Sequence, residues 1–180
     1  MAYKHTRLEI TENGNRKYRF STENFSQEEL KGLLNYNPET GIFTWKNPPS
    51  NTVKRDQIAG CVHIHGYRLI RVRGVLHRAS RLAWFYSYGQ WPVEIDHKDR
   101  DKSNDRLANL REATSQQNKT NRSAYNKLGV KGVQKNGSKY AAYITINYTS
   151  VYLGTFDTKE EAGEAYKQAA KKVFGEFARG

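Results

Sequence analysis

The alternation of apolar and polar positions divides the chain into two patterned stretches. In the first, Ser26-Gln27-Glu28-Glu29 precedes Leu30, Leu33 and Leu34. A Ser at the cap can accept the N3 amide while a Glu at N3 reaches back to the cap amide, so a helix is predicted from Ser26 to about Asn35. Asn37-Pro38-Glu39-Thr40-Gly41 supplies turn residues, and Ile42-Phe43-Thr44-Trp45 has strand content. Cys61-Val62-His63-Ile64 and Tyr67-Arg68-Leu69-Ile70-Arg71-Val72 read as two more strands, with turns at His65-Gly66 and Arg73-Gly74. Tyr67, Leu69 and Arg71 share one face and Arg68, Ile70 and Val72 the other. From His77 the period becomes helical: Ala79, Leu82, Ala83 and Tyr86 fall on one face, and Gly89 stands where a helix stops. A small β-meander with a helix packed on it is the expectation.

Residues 90–122 are polar and irregular, and Tyr125 to Gly129 reads as a linker. The second patterned stretch begins at Val130-Lys131-Gly132-Val133-Gln134-Lys135, turns at Asn136-Gly137 and continues through Lys139 to Asn147. Asn-Gly between two strand-like runs is the strongest short hairpin signal. A third strand is expected around Ser150 to Leu153. Thr158-Lys159-Glu160-Glu161 then opens a helix whose Ala162, Ala165, Tyr166, Ala169, Ala170 and Val173 make an apolar stripe. The fold class expected is α+β. It comprises an N-terminal extension over 1–25 with a hairpin around Asn13-Gly14, a first domain over 26–123, a linker over 124–129 and a sheet-plus-helix domain over 130–180.

Composition adds the partner. The chain has 180 residues, 37% of them apolar, and 30 Lys and Arg against 18 Asp and Glu, a formal net charge of +12. Such a balance points to a polyanion. The excess lies within the patterned stretches, with residues 31–125 carrying 16 basic and 8 acidic side chains. No stretch approaches the roughly 18 consecutive apolar residues of a membrane span, so a cytoplasmic protein is expected. Cys61 is the only cysteine, which excludes an intrachain disulfide and a zinc site built on cysteine pairs. Any metal must then be held by oxygen and imidazole donors.

The chemistry concentrates in Glu94-Ile95-Asp96-His97-Lys98-Asp99 and onward to Asn118. A calcium loop is excluded there, because no glycine stands at its sixth position and Leu110 would occupy the twelfth, where Glu is needed. Thr114-Ser115-Gln116-Gln117 forms a further capping box and places Asn118 in the first turn of a helix. With Asn109 twelve residues after His97 and Asn118 nine after Asn109, the segment resembles the ββα-metal core of HNH endonucleases. Their pattern is an Asp/His pair ending a strand, an Asn in the following loop, a second strand and a metal ligand early in a helix. Tyr36 to Trp45, Leu76 to Trp84 and Gly89-Gln90-Trp91-Pro92 extend the resemblance to phage HNH proteins over about residues 30–122.

Phosphodiester hydrolysis needs an activated water and stabilised charge on the phosphate and departing oxygen. An imidazole can accept a water proton near neutrality, which makes His97 the general base. Asp96 and the Asn118 amide oxygen suit a hard divalent ion, Mg2+ with Mn2+ as substitute. The family position held here by Asn118 is more often His, with Asn in the homing branch that the chain resembles. By the resemblance, Asn109 holds the His97 loop without touching metal, the products carry 5′-phosphate and 3′-hydroxyl ends, and Arg100, Lys102, Arg106 and Arg111 contact phosphates. His77 reads as a capping or packing residue, and His63 and His65 as structural or DNA-facing.

Gly129 to Val133, Tyr140 to Ile144, Tyr152 to Asp157 and Glu160 to Tyr166 resemble the plant APETALA-type DNA-binding domain, which lays a three-stranded sheet in the major groove. The resemblance implies DNA contacts from Gln134, Lys135, Lys139, Tyr143, Thr145 and Tyr152. Together these readings predict a phage homing-type endonuclease acting on double-stranded DNA. One site per chain suggests a nicking monomer, whereas a dimer would cut both strands. The alternative is a DNA-binding regulator on an inactive nuclease scaffold; an RNA binder lacks its aromatic signatures.

Overall fold

The computed structural model describes residues 25–121 and 126–178 in full, together with the backbone of two short strands, β1 (Glu9–Ile10) and β2 (Arg16–Lys17). It is a mixed α and β chain with small antiparallel sheets, and it divides into two compact units, Met1–Glu112 and Ala113–Gly180. β1 and β2 pair antiparallel, Glu9 opposite Lys17. The expected Asn13-Gly14 turn and Tyr18 to Phe20 lie outside the described residues.

In the first unit α1 (Gln27–Leu33) starts at the capping box, with the Ser26 amide donating to Glu29 Oε2 at 2.7 Å and the Glu29 amide to Ser26 Oγ at 3.2 Å. It ends before the expected Asn35. Leu34–Asn37 instead forms β3, which pairs along its length with β4 (Ile42–Trp45). Leu34 is fully buried, and the ladder supplies the backbone partners that a longer helix would have used. β5 (Cys61–Val62), β6 (Arg68–Val72) and β7 (Val75–Arg78) make the meander. The helix expected from His77 begins later, as α2 (Ala79–Tyr88), because His77 and Arg78 pair with Ile70 and Leu69. Gly89 ends it with φ of 72°, a left-handed value that glycine adopts without Cβ strain.

Leu30, Leu34, Phe43, Ile70 and Leu82 form the fully buried centre. Beside them Phe85 stacks on Trp91 with centroids 4.2 Å apart. His77 packs on Trp91 at 5.8 Å and edge-on to Phe25 at 5.4 Å. It is a packing residue in a strand, with no role as a helix cap. This core supports β8 (Glu94–His97) and β9 (Leu110–Ala113), which pair as a two-stranded sheet, with a short 3-10 turn at Leu107–Asn109 between them.

The second unit holds α3 (Ser115–Asn121), then β10 (Val133–Asn136), β11 (Lys139–Ile146) and β12 (Thr149–Phe156) in the order β10-β11-β12, and α4 (Lys159–Phe174). The third strand is longer at both ends than Ser150 to Leu153. Val133, Ala142 and Ile144 pack against Ala162, Tyr166 and Ala170 of α4. Val173, expected in the same stripe, is 43% exposed. Asn126 organises the turn before the sheet, its side chain bonded to Val130 and Val133. Among the described residues, no helix is long and apolar enough to cross a membrane.

Candidate active site

Asp96 and His97 close β8 and are buried, 4% and 5% exposed. Consecutive strand residues point to opposite sides, and the two side chains accordingly meet different partners. Asp96 Oδ2 accepts a 2.9 Å hydrogen bond from Arg111 Nε and lies 2.8 Å from Arg111 Nη2. Arg111 is on β9 and is itself buried. His97 Nε2 lies 3.0 Å from Asp105 Oδ1. Asp105 is only 2% exposed, and its Oδ2 has no hydrogen-bond partner among the described residues. Burial raises the Asp105 carboxyl above its ordinary range, against the opposing pull of the His97 contact.

The loop between β8 and β9 is tied together by Asn109. Its Nδ2 donates to Asp99 Oδ1 at 3.0 Å and to the Asn104 carbonyl at 2.8 Å, while its Oδ1 accepts from the Asp99 amide at 3.1 Å. Burial pushes the Asp99 carboxyl up. Hydrogen bonds from the Asn104 side chain, the Asp101 amide and the Asn109 side chain outweigh that push and hold it below the usual carboxylate range. A second support comes from the β3–β4 turn. The Tyr36 hydroxyl donates to the Asp105 carbonyl at 2.7 Å, and the Leu107 amide to the Pro38 carbonyl at 3.1 Å. A Cβ at Gly41 would stand 2.5 Å from the Arg106 nitrogen, so only glycine lets the turn approach this closely.

Basic and aromatic side chains border the pair. Tyr67 has its ring 6.1 Å from that of His97. The Arg78 guanidinium lies 4.2 Å and Lys102 Nζ 5.1 Å from the Tyr67 ring centroid. Arg100 and Arg106 are exposed on the loop, and Arg100 has a left-handed φ of 72°. Of the expected phosphate contacts, Arg111 is the one turned inward onto Asp96.

Asn118 falls in the second unit. Thr114 and Gln117 form the reciprocal cap, Gln117 N to Thr114 Oγ1 at 3.2 Å and Thr114 N to Gln117 Oε1 at 2.8 Å, so Asn118 lies in the first turn of α3. In the same unit Gln134, Lys139, Tyr143, Thr145 and Tyr152 alternate onto the sheet face opposite α4. Tyr143 pairs with Tyr152, their rings 5.4 Å apart. Lys139 also reaches Asp157 at 2.9 Å. Lys135 is opposite Tyr140, which packs toward the helix, and so alternates to the other side.

Asp96 offers a carboxylate and Asn118 an amide oxygen, each an oxygen donor of the kind that Mg2+ takes. Asp105, Tyr67 and Arg78 are neighbours of the pair that sequence reasoning did not select. Asp99, Asp101 and Asp105 look alike in the chain. Only the packing of the Asn37–Gly41 turn against residues 105–107 separates the buried one from the exposed ones.

Residues 77–120 match the family model described as HNH endonuclease, a segment that runs from β7 through β8 and β9 into α3. The chain is also 38% identical over 87 residues to an uncharacterized HNH endonuclease of Acanthamoeba polyphaga mimivirus, an alignment covering 48% of this chain and 46% of that protein. The chain thus spans about half the length of the curated relative it matches. Over residues 77–120 the chain is thus similar to an HNH endonuclease domain, a domain of the nuclease class, and HNH nucleases generally depend on a divalent metal.

Proposed function

We propose that the chain hydrolyses phosphodiester bonds of double-stranded DNA, with His97 as general base and a Mg2+-like ion held by Asp96 and Asn118. The observation that carries this reading is the burial of Asp96 and His97 side by side at the end of β8, each with its own partner, inside the segment that matches the nuclease family. His97 takes a proton from the attacking water. A bound divalent ion would supply charge neutralisation at the phosphate and the departing 3′ oxygen. Asn109 keeps the loop in shape through Asp99 and Asn104, and Arg100, Lys102 and Arg106 meet the phosphates on either side. Arg111 serves instead to hold Asp96. Products with 5′-phosphate and 3′-hydroxyl ends follow from the family pattern.

The second unit is proposed as the DNA reader of a homing-type enzyme. Its support is the three-stranded sheet backed by one helix, with Gln134, Lys139, Tyr143, Thr145 and Tyr152 on the uncapped side, a surface able to present polar and aromatic groups to a groove. A monomer with one such site would nick. The Arg111–Asp96 pair favours one other reading, an inactive DNA-binding protein on the same scaffold, because a guanidinium takes a carboxylate oxygen that an ion would use. Incubating supercoiled plasmid with the protein and Mg2+ or Mn2+ separates the two. Nicking that is lost on chelation and in His97→Ala is the expected result. Metal-dependent cutting unchanged in His97→Ala would sink the assignment, and no cutting by the intact protein with retained DNA binding would favour the inactive scaffold.

A further inference from the structure

The group that faces His97 most directly, Asp105, has no part in the chemistry described so far. Its Oδ1 is 3.0 Å from His97 Nε2, both side chains are almost fully buried, and its Oδ2 has no hydrogen-bond partner among the described residues. A buried carboxylate oxygen left without a donor is costly. The surroundings nevertheless hold it in place. Tyr36 bonds its carbonyl, the turn around Pro38 bonds Leu107, and Gly41 lets that turn approach within contact of Asp105 and Arg106. One hydrogen bond on the Asp105 carbonyl, a second on Leu107 two residues on, and the close approach of Gly41 hold the segment whose Asp105 side chain ends on the candidate base.

We propose that Asp105 is a positioning residue that selects the ring form of His97, which rests on His97 being the general base. A carboxylate has only acceptor oxygens, so the contact requires Nε2 to carry the hydrogen. In the neutral ring the lone pair then sits on Nδ1. Nδ1 is the atom that receives the water proton, as the hydroxide oxygen bonds to phosphorus and the 3′ oxygen departs with the electron pair of the broken bond. The imidazolium so formed keeps its Nε2–H on Asp105, whose negative charge stabilises it, as in other base-and-orienter pairs. The β3–β4 turn thereby gains a role: it anchors the orienter.

The test reads the ring directly. In the full chain labelled with 15N at histidine, the His97 nitrogens are expected to show the Nε2–H form at a pH where the ring is neutral. Asp105→Ala is expected to mix the two forms and to lower kcat for plasmid nicking by about 10- to 100-fold, part of the roughly 10²–10⁴-fold that a general base contributes, with KM little changed. Asp105→Asn, which keeps the shape and an acceptor oxygen, should retain the Nε2–H form and recover part of the loss. An Nδ1–H ring in the unaltered protein overturns the inference without any variant, so a variant that fails to fold leaves it testable. An unchanged ring signature and unchanged kcat in folded Asp105→Ala overturns it as well. If His97→Ala cuts like the unaltered protein, the reading of His97 has failed; if His97→Ala is dead while Asp105→Ala is fully active, only this inference has.

Discussion

His77 should make the first unit lose stability in mildly acid solution. Its imidazole is 4% exposed, wedged between Phe25 and Trp91. Burial, with some repulsion from Arg81, pushes its pKa down to about 4 from an ordinary 6.5. The native state therefore binds fewer protons at this group than the unfolded chain does between about pH 6.5 and pH 4. Stability from this residue is complete above that window, falls as the pH drops through it, and is flat below. One pH unit between the folded and unfolded values corresponds to about 1.36 kcal/mol, so the loss across the window is about 3 kcal/mol. All three tryptophans, Trp45, Trp84 and Trp91, belong to this unit, so tryptophan fluorescence in urea reports it selectively. With a urea dependence of about 1–3 kcal/mol per molar, the midpoint should drop by roughly 1–3 M between pH 7 and pH 4. Carboxylates titrate in the same range, and the comparison that isolates His77 is with His77→Phe, which keeps an aromatic ring and removes the proton site. The difference in stability between the two proteins should move by about 3 kcal/mol in favour of the variant as the pH falls. A difference that stays constant from pH 7 to pH 4 would refute the reasoning.

Two further outcomes follow from buried contacts. Arg111→Met removes the guanidinium paired with the Asp96 carboxylate, and breaking a buried pair by removing one partner costs about 3–5 kcal/mol; urea unfolding should show that loss, and adding Asp96→Asn should restore part of it in a double-mutant cycle. Gly132→Ala places a Cβ against the Tyr143 carbonyl and the Tyr166 ring at a φ of 69°. The left-handed backbone alone costs about 1–2 kcal/mol for a residue with a Cβ, so the β11 amides of the second unit should lose hydrogen-exchange protection, while tryptophan fluorescence of the first unit stays unchanged.

Local signals in the chain were sufficient wherever the deciding groups are close in sequence. The capping boxes at Ser26 and Thr114 form from residues three apart, and the Asn136-Gly137 hairpin closes where its turn residues stand. Alternation placed Ile70 and Val72 on one face of their strand, and both are buried. The same local rules failed at Leu34 and Asn35 and at His77 and Arg78, read as helical and found in strands. There the ladders to β4 and β6 compete with helical hydrogen bonds, and a partner strand is invisible to a window of neighbouring residues.

For the candidate site, the Asp96-His97 pair, the Asn109 and Asn118 spacings and the basic surroundings were written in the sequence, because a strand end, a loop tie and a helix cap are local arrangements. What only the tertiary structure decided is which charged side chains are taken out of water and whom they face. Arg111 is turned from a candidate phosphate contact toward Asp96, and Asp105 is separated from Asp99 and Asp101. Both outcomes depend on segments distant in the chain, β9 beside β8 and the Asn37–Gly41 turn against Asp105. Burial is set by that assembled packing, and burial determines whether a charge is solvated by water or must find its partner within the protein.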